Sequence, residues 1–312
     1  MQSEDTANRS LSRVAVTGAN GFLGSAVVKE LVEQVVAPKT LCVAPALGAC
    51  DLEAGGNAIY ADICDADAVR SLAEDTEVVI HIAGPPSVRL SFDDAAEFVR
   101  VHAAGTACLL QACARCGVRR FIYISSAEVY GRPRVDFVGE DHPLEARSPY
   151  AAAKIGAETL VGVYQRIFGL ETIVFRPFSV YGPGASRESV VSRIISAARA
   201  GEPIQLDDFR PVRDYCFVND IAAAIVRACV APAANQVFNL GTMRGTSVFE
   251  LAQTVLQVLG RPLELRENIE DRRPQRADIQ RLVADNRRVV KELGWSPLTS
   301  LEAGLELTLR AG

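Results

Sequence analysis

Lysine is scarce in this chain: of 33 basic residues only Lys29, Lys39, Lys154 and Lys291 are lysines, the rest being arginine. No apolar run approaches the roughly 18 residues of a membrane span. Residues 1–13 are polar and lack the hydrophobic centre of a secretion signal, so a cytoplasmic protein without membrane contact is expected. A positive field is lacking too. The 33 basic residues are outnumbered by 38 acidic ones, for a net charge of −5, which argues against nucleic acid as a partner. Eight cysteines in 312 residues are too dilute for a disulfide framework. Cys42, Cys108 and Cys229 stand in apolar segments and suit reduced core thiols. Cys113 and Cys116 have C-x-x-C spacing, but there is no second ligand pair for zinc and no thioredoxin-like context, so they read as packing and no metal site is predicted.

What is present is the composition of a folded protein, 49% apolar and 23% charged, long enough for one α/β unit plus a smaller lobe. Residues 14–17 are short, β-branched and closed by Gly18, as a buried strand is. Residues 25–35 carry apolar side chains at 27, 28, 31, 32 and 35, the helical pattern. The alternation continues with strands predicted at 40–44, 78–82, 121–125 and 171–176, and helices at 65–73, 93–116 and 149–168. Strands separated by helices imply right-handed parallel crossovers, hence a doubly wound Rossmann-type α/β sheet. We expect residues 1–178 to form the dinucleotide-binding domain, receiving segments near 212–241. Beyond 178, frequent prolines predict a smaller, loop-rich C-terminal substrate-binding lobe over 179–312.

Three glycines, Gly18, Gly21 and Gly24, are spaced between the first strand and helix with Asn20, Phe22 and Leu23 among them. Glycine permits positive φ and lets backbone amides approach a pyrophosphate at a helix N-terminus. The second strand ends Cys42-Val43-Ala44-Pro45, with neither an acid for a ribose nor an arginine for a 2′-phosphate, so NAD and NADP both remain open there. Asp62 is a candidate for the adenine end or, equally, a helix cap.

Tyr150 and Lys154 stand four apart at a helix start and share a face. An ammonium beside a phenol favours the phenolate, so Lys154 is expected to lower the pKa of Tyr150 toward proton exchange with a sugar hydroxyl. Ser126 leaves a strand at its C-terminal end, where open α/β sheets place ligands, and is expected either to meet the same substrate oxygen or to satisfy local backbone.

Together these residues resemble the extended short-chain dehydrogenase/reductase family, specifically its nucleotide-sugar epimerases and dehydratases. The resemblance covers nearly the whole chain and includes His81-Ile82-Ala83-Gly84, the Arg176–Pro183 block, the Arg213–Asp220 block, Phe238-Asn239-Leu240-Gly241 and Leu293-Gly294-Trp295. It implies bound NAD contacted by the glycine turn, by Asp62 and Ile63, by Ile82, Ala83 and Gly84, and by Tyr150 and Lys154. It also implies hydride transfer from C4 of the sugar, with Tyr150 as base, Lys154 on the nicotinamide ribose and Ser126 aligning the C4 hydroxyl. A nucleoside-diphosphate sugar is the implied substrate, met by Ser126 and Ser179, with Arg213 on the diphosphate and Arg273 or Arg276 closing from the C-terminal lobe.

Departures from the family pattern bear on the reaction. Ala127 replaces the aspartate of the 4,6-dehydratases, while Glu128 is kept; His102 stands where asparagine is frequent, and reads as structural; Ser179 replaces a frequent asparagine. An NAD-dependent epimerase working through a transient 4-keto sugar is the leading expectation. A dehydratase or decarboxylase using Glu128 as a further acid or base is the alternative, and a non-catalytic dinucleotide sensor is a third reading of another class. Helices 93–116 and 149–168 are apolar over more than one stripe, and with the resemblance this predicts a homodimer.

Overall fold

The computed structural model describes residues 13–43, 57–267 and 279–311. Ala44, Pro45, Arg273 and Arg276 lie outside the described residues. In chain order the first half comprises β1 (Val14–Thr17), α1 (Phe22–Glu33), β2 (Lys39–Cys42), β3 (Ala58–Tyr60), α2 (Ala66–Ala73), β4 (Val78–His81), α3 (Ala95–Val99), α4 (Thr106–Cys116), β5 (Arg120–Ile124), α5 (Pro149–Phe168) and β6 (Glu171–Pro177). The second half adds β7 (Ser179–Tyr181), α6 (Val190–Ala200), β8 (Ile204–Leu206), β9 (Val212–Arg213), β10 (Tyr215–Phe217), α7 (Val218–Ala228), β11 (Gln236–Leu240), β12 (Thr246–Ser247), α8 (Val248–Leu259), β13 (Leu265–Glu267), β14 (Arg281–Leu282), α9 (Arg287–Leu293) and α10 (Leu301–Arg310).

Seven strands form one parallel sheet in the order β11-β6-β5-β4-β1-β2-β3. This is the doubly wound Rossmann arrangement expected. Strand parity assigns the two layers, because successive side chains point to opposite faces. Val14, Val16, Val78, Ile80, Ile122 and Ile124 pack with α1, α7 and α9, whereas Ala15, Val79, Phe121 and Tyr123 pack with α2, α4 and α5. β3, only three residues long, escaped the sequence reading.

Helix α5 runs over the span its pattern predicts. The Ser148 side chain caps it by accepting from Ala151 N, Pro149 occupies the first turn, and Gly169 closes it at φ 70°. The helix expected over 93–116 is instead interrupted, α3 and α4 being joined by a π-helical segment over Arg100–Gly105. At Gly105 an added Cβ would fall 2.5 Å from Ile63 Cγ2, so the backbone here lies directly on the loop after β3. The smaller lobe packs α6, α8 and α10 around Ile194, Leu251, Val255 and Leu305, with short strand pairs beside them. No helix among the described residues is long and apolar enough to cross a membrane. Cys113 is buried in the core, Cys116 is half-buried, and both are free thiols.

Candidate active site

Strand β1 pairs with β2 on one side and β4 on the other, so the crossovers diverge at its C-terminal end. Open sheets leave a crevice at such a switch point. Here it is a cleft of about 1840 Å³ that runs from the glycine turn to β7 and the loop before α6. Drug-sized pockets occupy about 300–1,000 Å³. This one has room for a dinucleotide and a second large ligand.

The glycine turn is built by close approach. Gly18 adopts φ +69°, and a Cβ on Gly24 would lie 2.0 Å from the Gly18 carbonyl oxygen. Gly21 is the N-cap of α1 and no side chain caps the helix, which leaves its first turn facing the cleft beside Asn20, Phe22 and Leu23. This bare helix start behind a glycine cradle suits the pyrophosphate of NAD.

Asp62 and Ile63 line the same cleft. Asp62 does not cap α2; Asp65 does, accepting from Asp67 N and Ala68 N. Both Asp62 oxygens instead receive the Arg100 guanidinium at 3.0 and 2.8 Å, and Oδ1 also accepts from Cys64 N. Hydrogen bonding from Arg100 first, then from Cys64 N, holds the carboxyl down at about 2.

Ile82, Ala83 and Gly84 form the wall after β4. Thr17 Oγ1 accepts from Ile82 N and Ala83 N, both at 3.2 Å, so its own hydrogen is directed to His81 Nδ1 at 2.7 Å. His81 Nε2 then donates to Thr106 Oγ1 at 3.0 Å, and Thr106 donates to the His102 carbonyl. Burial, reinforced by Lys154, pulls His81 down to about 3, so the ring stays neutral and the chain of bonds keeps one direction. It ties β1, β4 and the π-helical segment together beneath the cleft. Thr17 and Thr106 were missed in the sequence because they lie 64 and 25 residues from His81, with no spacing to betray the contact.

His102 is buried in the cleft wall. Its Nε2 donates to Pro85 O at 3.1 Å, its ring meets Tyr150 edge-on at 5.3 Å, and its Nδ1 has no protein partner. Burial first, then Lys154, pushes it down to about 2, which agrees with a structural rather than proton-transferring histidine.

Ser126, Glu128, Tyr150 and Lys154 converge at the C-terminal edge of β5 and line the cleft. The Ser126 hydroxyl satisfies local backbone, accepting from Glu128 N at 3.2 Å, and is also hydrogen-bonded with Tyr150. Lys154 donates to Ile124 O at 2.7 Å, and its Nζ lies 5.0 Å from the Tyr123 ring centroid and 5.8 Å from that of Tyr150. The neighbouring Ser125 Oγ is buried with no protein partner in the same wall. Two such orphaned polar atoms, with the glycine cradle, fit a polar ligand at this end.

One expectation is corrected. Lys154 does not bring the Tyr150 phenol down. Burial pushes Tyr150 up to about 12, the Ser126 hydrogen bond opposes this, and the Glu128 carboxylate adds to it. Burial likewise pulls Lys154 down to about 7, against the attraction of Glu158. The local ammonium is weakened by the same low-dielectric wall that holds the phenol neutral.

Ser179 and Arg213 also line the cleft, on β7 and β9. Ser179 N donates to Asp214 O at 2.9 Å, and β10 pairs with β7 at this point. Arg213 is half-buried and donates to Val212 O at 3.1 Å.

Fold and cleft define a dinucleotide-binding protein of the doubly wound class. Residues 14–241 match the sequence profile of the NAD dependent epimerase/dehydratase family. The chain is 34% identical over 308 residues to a UDP-glucose 4-epimerase of Mycolicibacterium smegmatis, covering 95% of this chain and 97% of that one. It is 32% identical over 311 residues to a dTDP-glucose 4,6-dehydratase of Streptomyces griseus, covering 96% and 93%. Trifunctional Arabidopsis thaliana relatives are also matched, of whose length the chain spans about half, 46%. The crystal structure of the Thermus thermophilus UDP-glucose 4-epimerase in complex with NAD superposes with a TM-score of 0.86 at 27% identity, covering 96% of this chain and 98% of that one. The chain belongs to the NAD-dependent epimerase/dehydratase family, and is an enzyme that uses NAD.

The glycine cradle makes a direct prediction. Gly24→Ala places a methyl group against backbone that cannot rotate away, and overpacking of this kind costs about 1–3 kcal/mol. NAD affinity, read by calorimetry, is expected to fall roughly ten- to a hundredfold; unchanged affinity would show that the turn is not the cradle.

Proposed function

We propose that this chain is an NAD-dependent nucleotide-sugar 4-epimerase working through a transient 4-keto sugar. The observation that carries this reading is the convergence of Ser126, Tyr150 and Lys154 in the cleft, with Glu128 beside them and Ala127 buried at the neighbouring position. A 4-epimerase needs no second acid or base beyond the tyrosine, whereas elimination of water needs both.

NAD, when bound, accepts the hydride from C4 and returns it. The glycine turn and the start of α1 would hold its pyrophosphate, with Asp62 and Ile63 at the adenine end and Ile82, Ala83 and Gly84 along its length. The chain's own residues handle the proton. Tyr150 Oη takes it from the C4 hydroxyl and gives it back after the sugar turns its other face. Ser126 aligns that hydroxyl, and Lys154, anchored on Ile124 O, is assigned to the nicotinamide ribose. Ser179 and Arg213 are assigned to the nucleoside diphosphate, arginine being suited to bidentate phosphate contact. The test is incubation with a panel of UDP- and dTDP-sugars followed by NMR. Inversion at C4 supports the reading, and retained configuration in every sugar overturns it.

A second reading, dehydration or decarboxylation through the same ketone, is supported by one observation: Glu128 lines the cleft together with Ser126 and Tyr150. In deuterated water this reading requires deuterium at C5 or loss of carbon dioxide from a uronate. Glu128→Gln separates the two, since epimerisation is expected to stay within about threefold of the parent whereas losing a general acid or base costs roughly 10²–10⁴-fold.

We also propose a homodimer through α3–α4 and α5. Val99, Ile167 and Phe168 are 48%, 72% and 60% exposed on these helices, a surplus of apolar surface for a helix already packed on a sheet. Light scattering at micromolar concentration tests it, and a monomeric mass would end it.

A further inference from the structure

Asp62 and Glu97 hold one guanidinium between them. Arg100 Nε and Nη2 donate to the two Glu97 oxygens, both at 2.7 Å, and Nη1 and Nη2 donate to those of Asp62 at 3.0 and 2.8 Å. Four of its five N–H groups are thereby spent in the guanidinium plane. The backbone is tied to the same loop, because Cys64 Sγ donates to Arg100 O at 3.5 Å. Arg100 also opens the π-helical segment, a helix form that is frequent at functional sites. The three charged side chains are 42–43% exposed, and ion pairs as open as these contribute little to stability. Stability therefore does not account for a clamp that fixes a long, flexible side chain in one orientation.

All three residues line the cleft, next to Ile63 and Val101, which give it an apolar wall there. A guanidinium can meet a ligand by its edge or by its face. With the edge spent, a bidentate grip on phosphate is not available, and two carboxylates around one cation leave a net negative charge that disfavours a further anion. What remains is the flat, delocalised face, the part of arginine that stacks on aromatic rings and nucleobases.

We propose that Arg100 is a platform for the adenine of NAD: clamped flat by Asp62 and Glu97, its guanidinium face stacks on the base. The inference rests on the placement of adenine beside Asp62 and Ile63 made above, and adds a residue that placement does not use.

Two variants separate the face from the charge. Arg100→Lys keeps a cation for the two carboxylates and loses the face, whereas Arg100→Tyr supplies a face without the cation. The measurement is calorimetry of the full-length protein with NAD and with ADP-ribose, which carries the adenosine half and no nicotinamide. Stacking predicts a roughly tenfold loss of affinity in Arg100→Lys, equal for the two ligands because the lost contact lies in the half they share, and a smaller loss in Arg100→Tyr. A role in ion pairing alone predicts the opposite order. Both variants are expected to melt within about 2 °C of the parent, since only exposed pairs are altered.

Arg100→Lys binding both ligands as tightly as the parent, or more tightly than Arg100→Tyr does, overturns the proposal. A loss seen with NAD and not with ADP-ribose overturns it as well, since Arg100 would then face the nicotinamide half. No sugar nucleotide enters the measurement, so a protein that inverts no sugar can still uphold the platform. An affinity that ignores Arg100 yet falls in Gly24→Ala overturns the platform and leaves the glycine turn as the coenzyme's cradle.

Discussion

Tyr150→Phe is expected to lower turnover of any accepted sugar nucleotide by roughly 10²–10⁴-fold, the usual contribution of a positioned general acid or base. The substitution removes one oxygen from a ring that is otherwise held by packing. Tyr150 is 8% exposed and meets Phe98 and His102 edge-on, at 6.2 and 5.3 Å, contacts that phenylalanine keeps. Folding should therefore be disturbed by less than about 1.5 kcal/mol. NAD binding should survive, since the glycine turn and the wall after β4 are untouched. The measurement is the rate at which reduced nicotinamide appears in a single turnover. A variant working within a few-fold of the parent would remove Tyr150 from the chemistry. Burial raises the phenol to about 12, so the hydroxyl is costly to ionise in the protein's own environment, and the proposed proton transfer would need a cation brought close to it.

Arg120→Met should give the largest loss of stability outside the site, about 3 kcal/mol. Arg120 is 1% exposed at the start of β5, the end of the sheet opposite the cleft. Its Nε and Nη2 donate to Glu171 Oε2 at 3.0 and 2.8 Å, and its Nη1 donates to Ala228 O and Ala231 O at 2.6 and 2.7 Å. One guanidinium therefore joins β5, β6 and the C-terminal end of α7, where a cation also complements the helix dipole. Methionine keeps the length and none of the donors. Two buried carbonyls lose their partner, while Glu171 keeps Arg119 at 2.8 Å. Thermal unfolding is expected to move down by roughly 4–5 °C for a chain of this size. Turnover well below that transition should be unaffected, because the chemistry sits at the other end of the strands. An unchanged melting temperature would show that the Glu171 and carbonyl contacts contribute nothing net.

The parts legible in the sequence were those carried by local spacing. The Tyr150–Lys154 interval, the glycine turn and the span of α5 are each settled within a few residues, so pattern and structure agree closely there. Contacts between distant segments left no such trace. Asp62 offered two readings of its neighbourhood and was claimed by Arg100, 38 residues on; Glu158 showed nothing until β6 brought Arg176 against it. The interruption of the helix at 100–105 was hidden because its apolar pattern runs on through the π-helical turn.

The order of residues alone decided which elements form and which side chains share a helix face, because dihedral preferences and side-chain periodicity act over one or two turns. Tertiary packing decided the proton chemistry. Whether a phenol, an ammonium or an imidazole carries charge depends on how much water it retains and which opposite charge lies within a few ångströms. Those are properties of the space between β4, β5, the π-helical segment and α5, and no one of these segments contains them.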